Sequence, residues 1–133
     1  MHNASGYVII NQSSVGVNLA SGATSWTAQS DERLKTNVVE ISDGLNKVAQ
    51  LRGVIARYKT DEPDVSRSML IAQDVQAVLP QAVSEDSEGM LGVRYTEVIP
   101  LLVSALHDTK ARIEALEAEV QALKGESAGT ADI

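Results

Sequence analysis

An apolar residue recurs every three or four positions through the last third of the chain, and this repeat constrains the fold more than any other feature. With Ile99 taken as position a of a heptad, the a and d positions from residue 99 to residue 123 are apolar except for one threonine. A period that stays near 3.5 residues for about four heptads predicts a helix that forms a coiled coil. We call these positions the coil stripe: Ile99, Leu102, Leu106, Thr109, Ile113, Leu116, Val120 and Leu123.

Charged residues beside the coil stripe indicate how the helices align. Arg112 at position g would face Glu117 at position e of the next heptad on a neighbouring helix, and Glu119 would face Lys124 in the same way. Both pairs join opposite charges and favour a parallel assembly, although each exposed pair contributes only roughly 0.2–1 kcal/mol. The mixture of β-branched residues and leucine leaves both two and three chains open. The alternative is a single amphipathic helix that folds back on its own domain.

Charge is distributed unevenly along the chain. The first 29 residues contain no Lys, Arg, Asp or Glu, and all 11 basic and 18 acidic residues lie at Asp31 or later. The run over residues 7–10 and the alternation of Val15, Val17 and Leu19 predict short β segments. Two short strands do not make a stable unit alone. Residues 1–29 are therefore predicted to be the end of a larger β-structured fibre or an arm that pairs with other chains, with a disordered tail as the alternative.

The residues after this point predict an α+β fold in which a small mixed unit, residues 30–95, precedes a long C-terminal helix, residues 96–124. Ser42 is the expected N-cap of a first helix that carries Leu45 and Val48 on one face. A second helix is expected over residues 72–79 and to end at a proline. Further expected elements are strands over 54–59, 69–71 and 91–95, an acidic loop over 84–89, Pro100 near the first turn of the long helix, an end of that helix at Gly125, and a frayed tail over 125–133.

The composition excludes several classes of function. A net charge of −7 opposes binding to nucleic-acid phosphates, and the absence of cysteine removes thiol nucleophiles and thiolate metal sites. No apolar run approaches the about 20 residues that span a bilayer. His2 and His107 are far apart, and the acidic residues of 84–88 lack the spacing of an EF-hand. We therefore expect no metal, no cofactor, no nucleic acid and no membrane among the partners.

The hexapeptide from Ser30 to Lys35 connects the uncharged and the charged parts of the chain. A serine and a lysine can act as nucleophile and base, but residues five apart point about 140° from each other on a helix and to opposite faces of a strand. Ser30 and Lys35 can meet only if the backbone bends between them, or if one comes from a neighbouring chain. Taken alone, this segment is better explained as a charged turn at the start of a domain.

Four segments in a fixed order connect the chain to a known family. They are SDERLKTN (residues 30–37), LIAQDV (70–75), GVRYTEVIPLL (92–102) and the closing heptad helix. Together they resemble the intramolecular chaperone domain of phage tail fibres, tailspikes and endosialidases, which is also called the S74 peptidase family. The resemblance covers residues 25–124. Gly53 departs from it, since many relatives carry a proline there, and this difference concerns a loop.

The resemblance implies both an assembly and a reaction. Such a domain forms a homotrimer at the C-terminus of a fibre, helps the preceding β-structure of the same chain to fold, and then cuts itself off. The family's nucleophile is the serine that opens its signature, here Ser30, and its base is the lysine five residues later, here Lys35. The scissile bond then lies between Gln29 and Ser30. The implied setting is the bacterial host cytoplasm during virion assembly, with the fibre part remaining in the virion tail.

The chemistry sets one further requirement. Lysine can take a proton from a serine hydroxyl only as the neutral amine, so its pKa, ordinarily about 10.4, must fall through burial or through nearby cations. Arg33 would lower the pKa if it lay close by, whereas Asp31 and Glu32 would raise it. We therefore expect Lys35 to be buried by apolar side chains of an adjacent chain. The alternatives are a non-catalytic trimerisation module, in which Ser30 and Lys35 are structural, and a receptor-binding fibre tip.

Overall fold

The computed structural model describes residues 2–3, 6–7, 16–19 and 21–130. The chain divides into two compact units, an N-terminal unit of residues 1–39 and a C-terminal unit of residues 40–133. Each unit is described by itself. The β run predicted over residues 8–10, and Val15 of the predicted alternation, lie outside the described residues.

The N-terminal unit contains two hairpins of very short antiparallel strands. β1 (His2–Asn3) pairs with β2 (Gly6–Tyr7), and β3 (Val17–Asn18) pairs with β4 (Thr27–Ala28). Gly22 turns the chain between β3 and β4 with a φ of +79°, which favours glycine. The short β segments expected before the hexapeptide are therefore present where the structure describes this region.

The C-terminal unit combines three helices with two hairpins. The helices are α1 (Gly44–Ala49), α2 (Ala72–Val78) and α3 (Tyr95–Thr130), and the antiparallel hairpins pair β5 (Gly53–Ala56) with β6 (Arg67–Leu70) and β7 (Val83–Glu85) with β8 (Leu91–Val93). The predicted combination of small mixed unit and long C-terminal helix is confirmed. Within the part of the chain that the structure describes, no helix is long and apolar enough to cross a membrane.

A small aliphatic core joins α2 to the beginning of α3. Val75 of α2 and Leu101 of α3 are both fully buried. Helix α2 ends at Val78, because Leu79, the residue before Pro80, is disfavoured in the helical region. The buried members of this cluster are Val75, Val78, Leu79, Ala82, Val98 and Leu101. The cluster contains no aromatic residue, as expected from a chain without phenylalanine.

Helix α3 has two apolar faces along its first half. Val98, Leu101 and Ala105 lie three and four residues apart, so they share one side of the helix, and that side is buried in the unit. The coil stripe follows a different side, and its seven apolar members are 44–67% exposed. From Lys110 to Gly129 every residue of α3 is exposed. The first half of α3 therefore packs on its own domain through the face of Val98, Leu101 and Ala105, while the apolar residues of the coil stripe stay exposed.

The beginning of α1 lies directly against α3. Ser104 Oγ donates a hydrogen bond of 2.6 Å to the carbonyl of Ile41, and Asp108 Oδ2 accepts one of 3.0 Å from the backbone N–H of Leu45. The N-cap of α1 is Asp43 and not Ser42, and the Asp43 side chain makes no capping bond. Asp108 instead binds an N–H that the first turn of a helix leaves without a partner.

Further details also differ from the sequence-based expectations. Gly53, expected in a loop, is the first residue of β5. The acidic segment over 84–89 is a hairpin turn, because Ser84 and Glu85 belong to β7 and Asp86 Oδ1 accepts from the backbone N–H groups of Glu88 and Met90, each at 2.9 Å. Pro100 lies in the second turn of α3, which begins at Tyr95, and removes one backbone hydrogen bond there. The helix also continues past Gly125 to Thr130, because glycine weakens a helix without ending it.

Gly44 offers a test of the close contact between α1 and α3. A Cβ at this buried position would lie 2.5 Å from the backbone nitrogen of Ala105 and 2.7 Å from the carbonyl carbon of Ser104, and would also clash with Ser104 Oγ. We expect Gly44→Ala to lower the free energy of unfolding by about 1–3 kcal/mol, the usual cost of overpacking. Gly125→Ala is the control, since a Cβ there meets nothing within 4 Å. Urea unfolding followed by circular dichroism measures both, and equal stabilities would contradict the described contact.

Candidate active site

The residue before the hexapeptide is attached to the second hairpin of the N-terminal unit. The backbone N–H of Gln29 donates a hydrogen bond of 3.0 Å to the carbonyl of Gly16, one position beyond the pairing of Val17 with Ala28. The hairpin therefore fixes the backbone immediately before Ser30, which is the residue on the far side of the predicted scissile bond.

A single helical turn then bends the chain back on itself. Residues Glu32–Leu34 form a 3₁₀ turn with Asp31 as its N-cap in extended backbone geometry. The backbone N–H of Leu34 donates to the carbonyl of Asp31 at 3.1 Å, and that of Lys35 donates to the carbonyl of Glu32 at 3.0 Å. This turn is the bend that the sequence requires if two residues five positions apart are to meet within one chain.

The turn brings Lys35 onto Ser30. Lys35 Nζ lies 3.0 Å from Ser30 Oγ, within hydrogen-bond distance, and the same amine also donates to the backbone carbonyl of Ser30. A general base has to lie within about 2.6–3.2 Å of the heavy atom that carries the proton it removes. The distance from Lys35 Nζ to Ser30 Oγ falls in this range, and both residues belong to the same chain.

Arg33 binds Asp31 and not Lys35. Its backbone N–H donates to Asp31 Oδ1 at 2.9 Å, and its guanidinium donates to Oδ1 through Nε at 3.0 Å and to Oδ2 through Nη2 at 2.7 Å. These hydrogen bonds, with a smaller contribution from the charge of Lys35, hold the pKa of Asp31 below its ordinary value. In the same way the carboxylate of Asp31 raises the pKa of Arg33.

The expected burial of Lys35 is not provided by the described part of the single chain. Every residue from Ser21 to Glu40 is exposed, including Ser30, Lys35 and the apolar Leu34, which is 51% exposed. The structure thus brings the side chains of Ser30 and Lys35 together within one chain and leaves both exposed to solvent.

Two other polar residues, Asp74 and His107, lie away from this pair in sequence. Asp74 pairs with Arg52 at 2.8 Å, and this contact lowers the pKa of Asp74, so the carboxylate has a structural partner. His107 is exposed on α3. Among the described residues no group of three or more His, Asp or Glu side chains could hold a metal ion.

Sequence reasoning did not assign the contact between Asp31 and Arg33. It treated Arg33 as a cation that would act directly on the amine, and Asp31 as a charge that would oppose it. The signal was present in the sequence, because an aspartate directly before a short helical turn is a common N-cap, and its side chain then accepts an N–H two or three residues later.

Comparisons with known proteins agree with these observations. The sequence profile of the family described as chaperone of endosialidase, Peptidase S74, matches residues 30–84 and so begins at Ser30. The chain is also 40% identical over 99 residues, 69% of its length, to the long tail fiber proteins Gp37 of Enterobacteria phage K3 and Enterobacteria phage T2. It spans only 8% and 7% of the length of these two relatives. Through residues 30–84 the chain belongs to the S74 peptidase family, the chaperones of endosialidase.

Proposed function

We propose that this chain is the C-terminal intramolecular chaperone of a phage tail fibre or tailspike. It trimerises through the coil stripe, assists the folding of the β-structure that precedes Ser30, and releases itself by cutting the bond between Gln29 and Ser30. The observation that carries the proposal is the 3.0 Å contact between Lys35 Nζ and Ser30 Oγ. Membership of the chaperone-of-endosialidase family and the similarity to two tail fibre proteins support it.

The reaction needs no group from outside the chain except water. Lys35 Nζ takes the proton of Ser30 Oγ as this oxygen attacks the carbonyl carbon of Gln29. The bond from that carbon to the Ser30 nitrogen then breaks, and the nitrogen receives the proton held by Lys35 and becomes an amine. Water hydrolyses the resulting ester, which leaves a carboxylate on Gln29 and a free hydroxyl and amino group on Ser30. Each molecule reacts once, because its own chain is the substrate.

Trimerisation is supported by the exposure of the coil stripe. Its seven apolar residues are 44–67% exposed in the single chain, and removing apolar surface from water contributes about 25 cal/mol per Å². The described core is completed on another face of α3, so the stripe is free to contact other helices. The charged residues beside it favour a parallel arrangement, and the number three follows from the resemblance to the family.

The exposure of Lys35 supports a coupling between assembly and cleavage. The neutral amine that the reaction needs requires removal from water, and the apolar side chains that bury it then come from neighbouring chains. Cleavage would in this way follow correct assembly. It would also remove the chaperone after use, so that the fibre remains folded because unfolding is slow. The expected setting is virion assembly in the bacterial host cytoplasm.

The second candidate function is a trimerisation module without peptidase activity. The solvent exposure of Ser30 and Lys35 in the single chain favours it, because exposed serine and lysine side chains are ordinarily unreactive. A receptor-binding fibre tip has less support, since Trp26, 49% exposed, is the one tryptophan of the chain.

Removing either reactive group tests the peptidase. The parent is expected to yield two pieces, residues 1–29 and 30–133, whereas Ser30→Ala and Lys35→Met stay intact because the nucleophile or its base is missing. Ser25→Ala is the matched control and should be cut like the parent. Denaturing gels and intact-mass spectrometry of purified protein distinguish these results. A parent that never splits after Gln29 would contradict the proposal and favour the non-catalytic module.

Charges in the coil stripe test the coupling to assembly. Leu116→Asp combined with Val120→Asp would bury two carboxylates between helices, so we expect a monomer that is cut at least about tenfold more slowly. Ala115→Asp combined with Ala118→Asp introduces the same charges at outer positions c and f and should leave a trimer that is cut normally. Sedimentation velocity gives the assembly state, and gels give the rate. A monomer that is cut at the parental rate would refute the coupling.

A further inference from the structure

The carboxylate of Asp31 is a potential competitor for the amine of Lys35. It lies in the same turn, carries the opposite charge, and is close enough for the Lys35 charge to contribute to its lowered pKa. An ion pair between these two side chains would withdraw Nζ from Ser30. The structure has a different arrangement, in which Lys35 donates to both oxygens of Ser30 and Arg33 occupies both oxygens of Asp31.

We infer that Asp31 and Arg33 are positioning residues for the Ser30–Lys35 pair, in which Asp31 caps the turn that returns Lys35 to Ser30 and Arg33 keeps the Asp31 carboxylate from binding the amine. This inference rests on the proposed peptidase function and assigns roles to two residues that take no part in the bond changes.

The first role follows from the hydrogen bonds of the turn. Asp31 Oδ1 accepts the backbone N–H of Arg33 at 2.9 Å, which satisfies a donor that the first turn otherwise leaves to water. The turn has only three helical residues and no buried side chain, so packing contributes little to its order. The cap is therefore a large part of what keeps Lys35 at Ser30.

The second role follows from the geometry of the guanidinium. Arg33 donates to Asp31 Oδ1 at 3.0 Å and to Oδ2 at 2.7 Å, a two-point contact that the single amine of lysine cannot match. The Arg33 side chain is 88% exposed, so no packing contact explains its orientation. The ion pair neutralises a carboxylate in the same turn as the amine of Lys35.

The charged groups in this part of the unit are few. Glu32 lies in the same turn and its side chain takes part in none of these hydrogen bonds, while the hairpin of β3 and β4 carries no charged side chain. The balance of charge around the amine is therefore set by Asp31, Glu32 and Arg33. Altering Asp31 and Arg33 separately and together isolates the contribution of their contact.

The decisive test measures the rate of self-cleavage against pH in the full chain. Arg33→Met leaves the carboxylate free to bind the amine, so we expect cleavage about tenfold slower and a higher pH for half-maximal rate. Asp31→Asn keeps an oxygen that accepts the capping N–H and should cleave within about threefold of the parent, with half-maximal rate at a lower pH. In the double variant Asp31→Asn with Arg33→Met no carboxylate competes, and the rate should return to that of Asp31→Asn.

Two further variants separate the cap from the charge. Asp31→Ala removes the acceptor and should cleave about tenfold more slowly than the parent. Glu32→Gln changes the charge by the same amount as Asp31→Asn, one residue away and outside the hydrogen bonds, and should stay within about twofold of the parent. If Asp31→Ala does not assemble, Arg33→Met and the double variant decide, because both keep a capping oxygen.

The outcomes distinguish this inference from the proposed function. A parent that is never cut contradicts both. A parent that is cut, together with an Arg33→Met variant that is cut at the parental rate and pH, overturns only the roles assigned here. The assigned roles would also be overturned if Arg33→Met slows cleavage and the added Asp31→Asn does not restore the rate. Only competition by the Asp31 carboxylate predicts that rescue, and a purely structural role of Arg33 does not.

A titration provides a readout that does not depend on cleavage. In the Ser30→Ala chain the carbon resonance of the Asp31 carboxyl should titrate below 3.8, because the hydrogen bonds from Arg33 favour the charged form. The ion pair between Asp31 and Arg33 is then fully present above pH 3.8 and is lost as the pH falls through the lowered pKa of Asp31. In the chain that also carries Arg33→Met the midpoint should rise. A midpoint of 3.8 or higher in both chains would contradict the contact.

Discussion

The burial of one face of α3 in a small aliphatic core is the interaction on which the C-terminal unit depends. Leu101 of α3 and Val75 of α2 are both fully buried in this core. Because this face alone completes the core, the other apolar side of the helix is left exposed. One helix therefore stabilises the folded unit with one side and exposes a second apolar side.

Much of this arrangement could be predicted from the sequence. The 3.5-residue period from Ile99 to Leu123 indicated the long helix, and Pro80 marked the end of α2. The two faces of α3 could not be separated from the sequence alone, because Val98, Leu101 and Ala105 are interleaved with Ile99, Leu102 and Leu106, and only tertiary contacts decide which set is buried. The start of α1 was displaced by one residue, and the N–H of Leu45 in its first turn is bound by Asp108, which is 63 residues away.

The candidate site shows the same division between local and non-local information. Its types of residue could be inferred from the hexapeptide, whereas the sequence left open whether the backbone bends between Ser30 and Lys35 or one of them comes from a neighbouring chain. The burial of Lys35 could not be inferred, because it depends on contacts with residues that are distant in sequence or belong to another chain. In the single chain Lys35 lies at Ser30, and both residues are exposed.

Ser104 donates a hydrogen bond to Ile41, and Asp108 accepts one from Leu45, so that residues 41–45 are attached at a fixed position along α3. Gly44 lets the two backbones approach closely at that position. In any symmetric parallel bundle of α3 helices, this attachment point would lie at the same position along the bundle axis in every chain. The chain segments that arrive at Ile41 would then start from equivalent points around one axis. Strands upstream of such a bundle would therefore start in register and would need no separate element to align them.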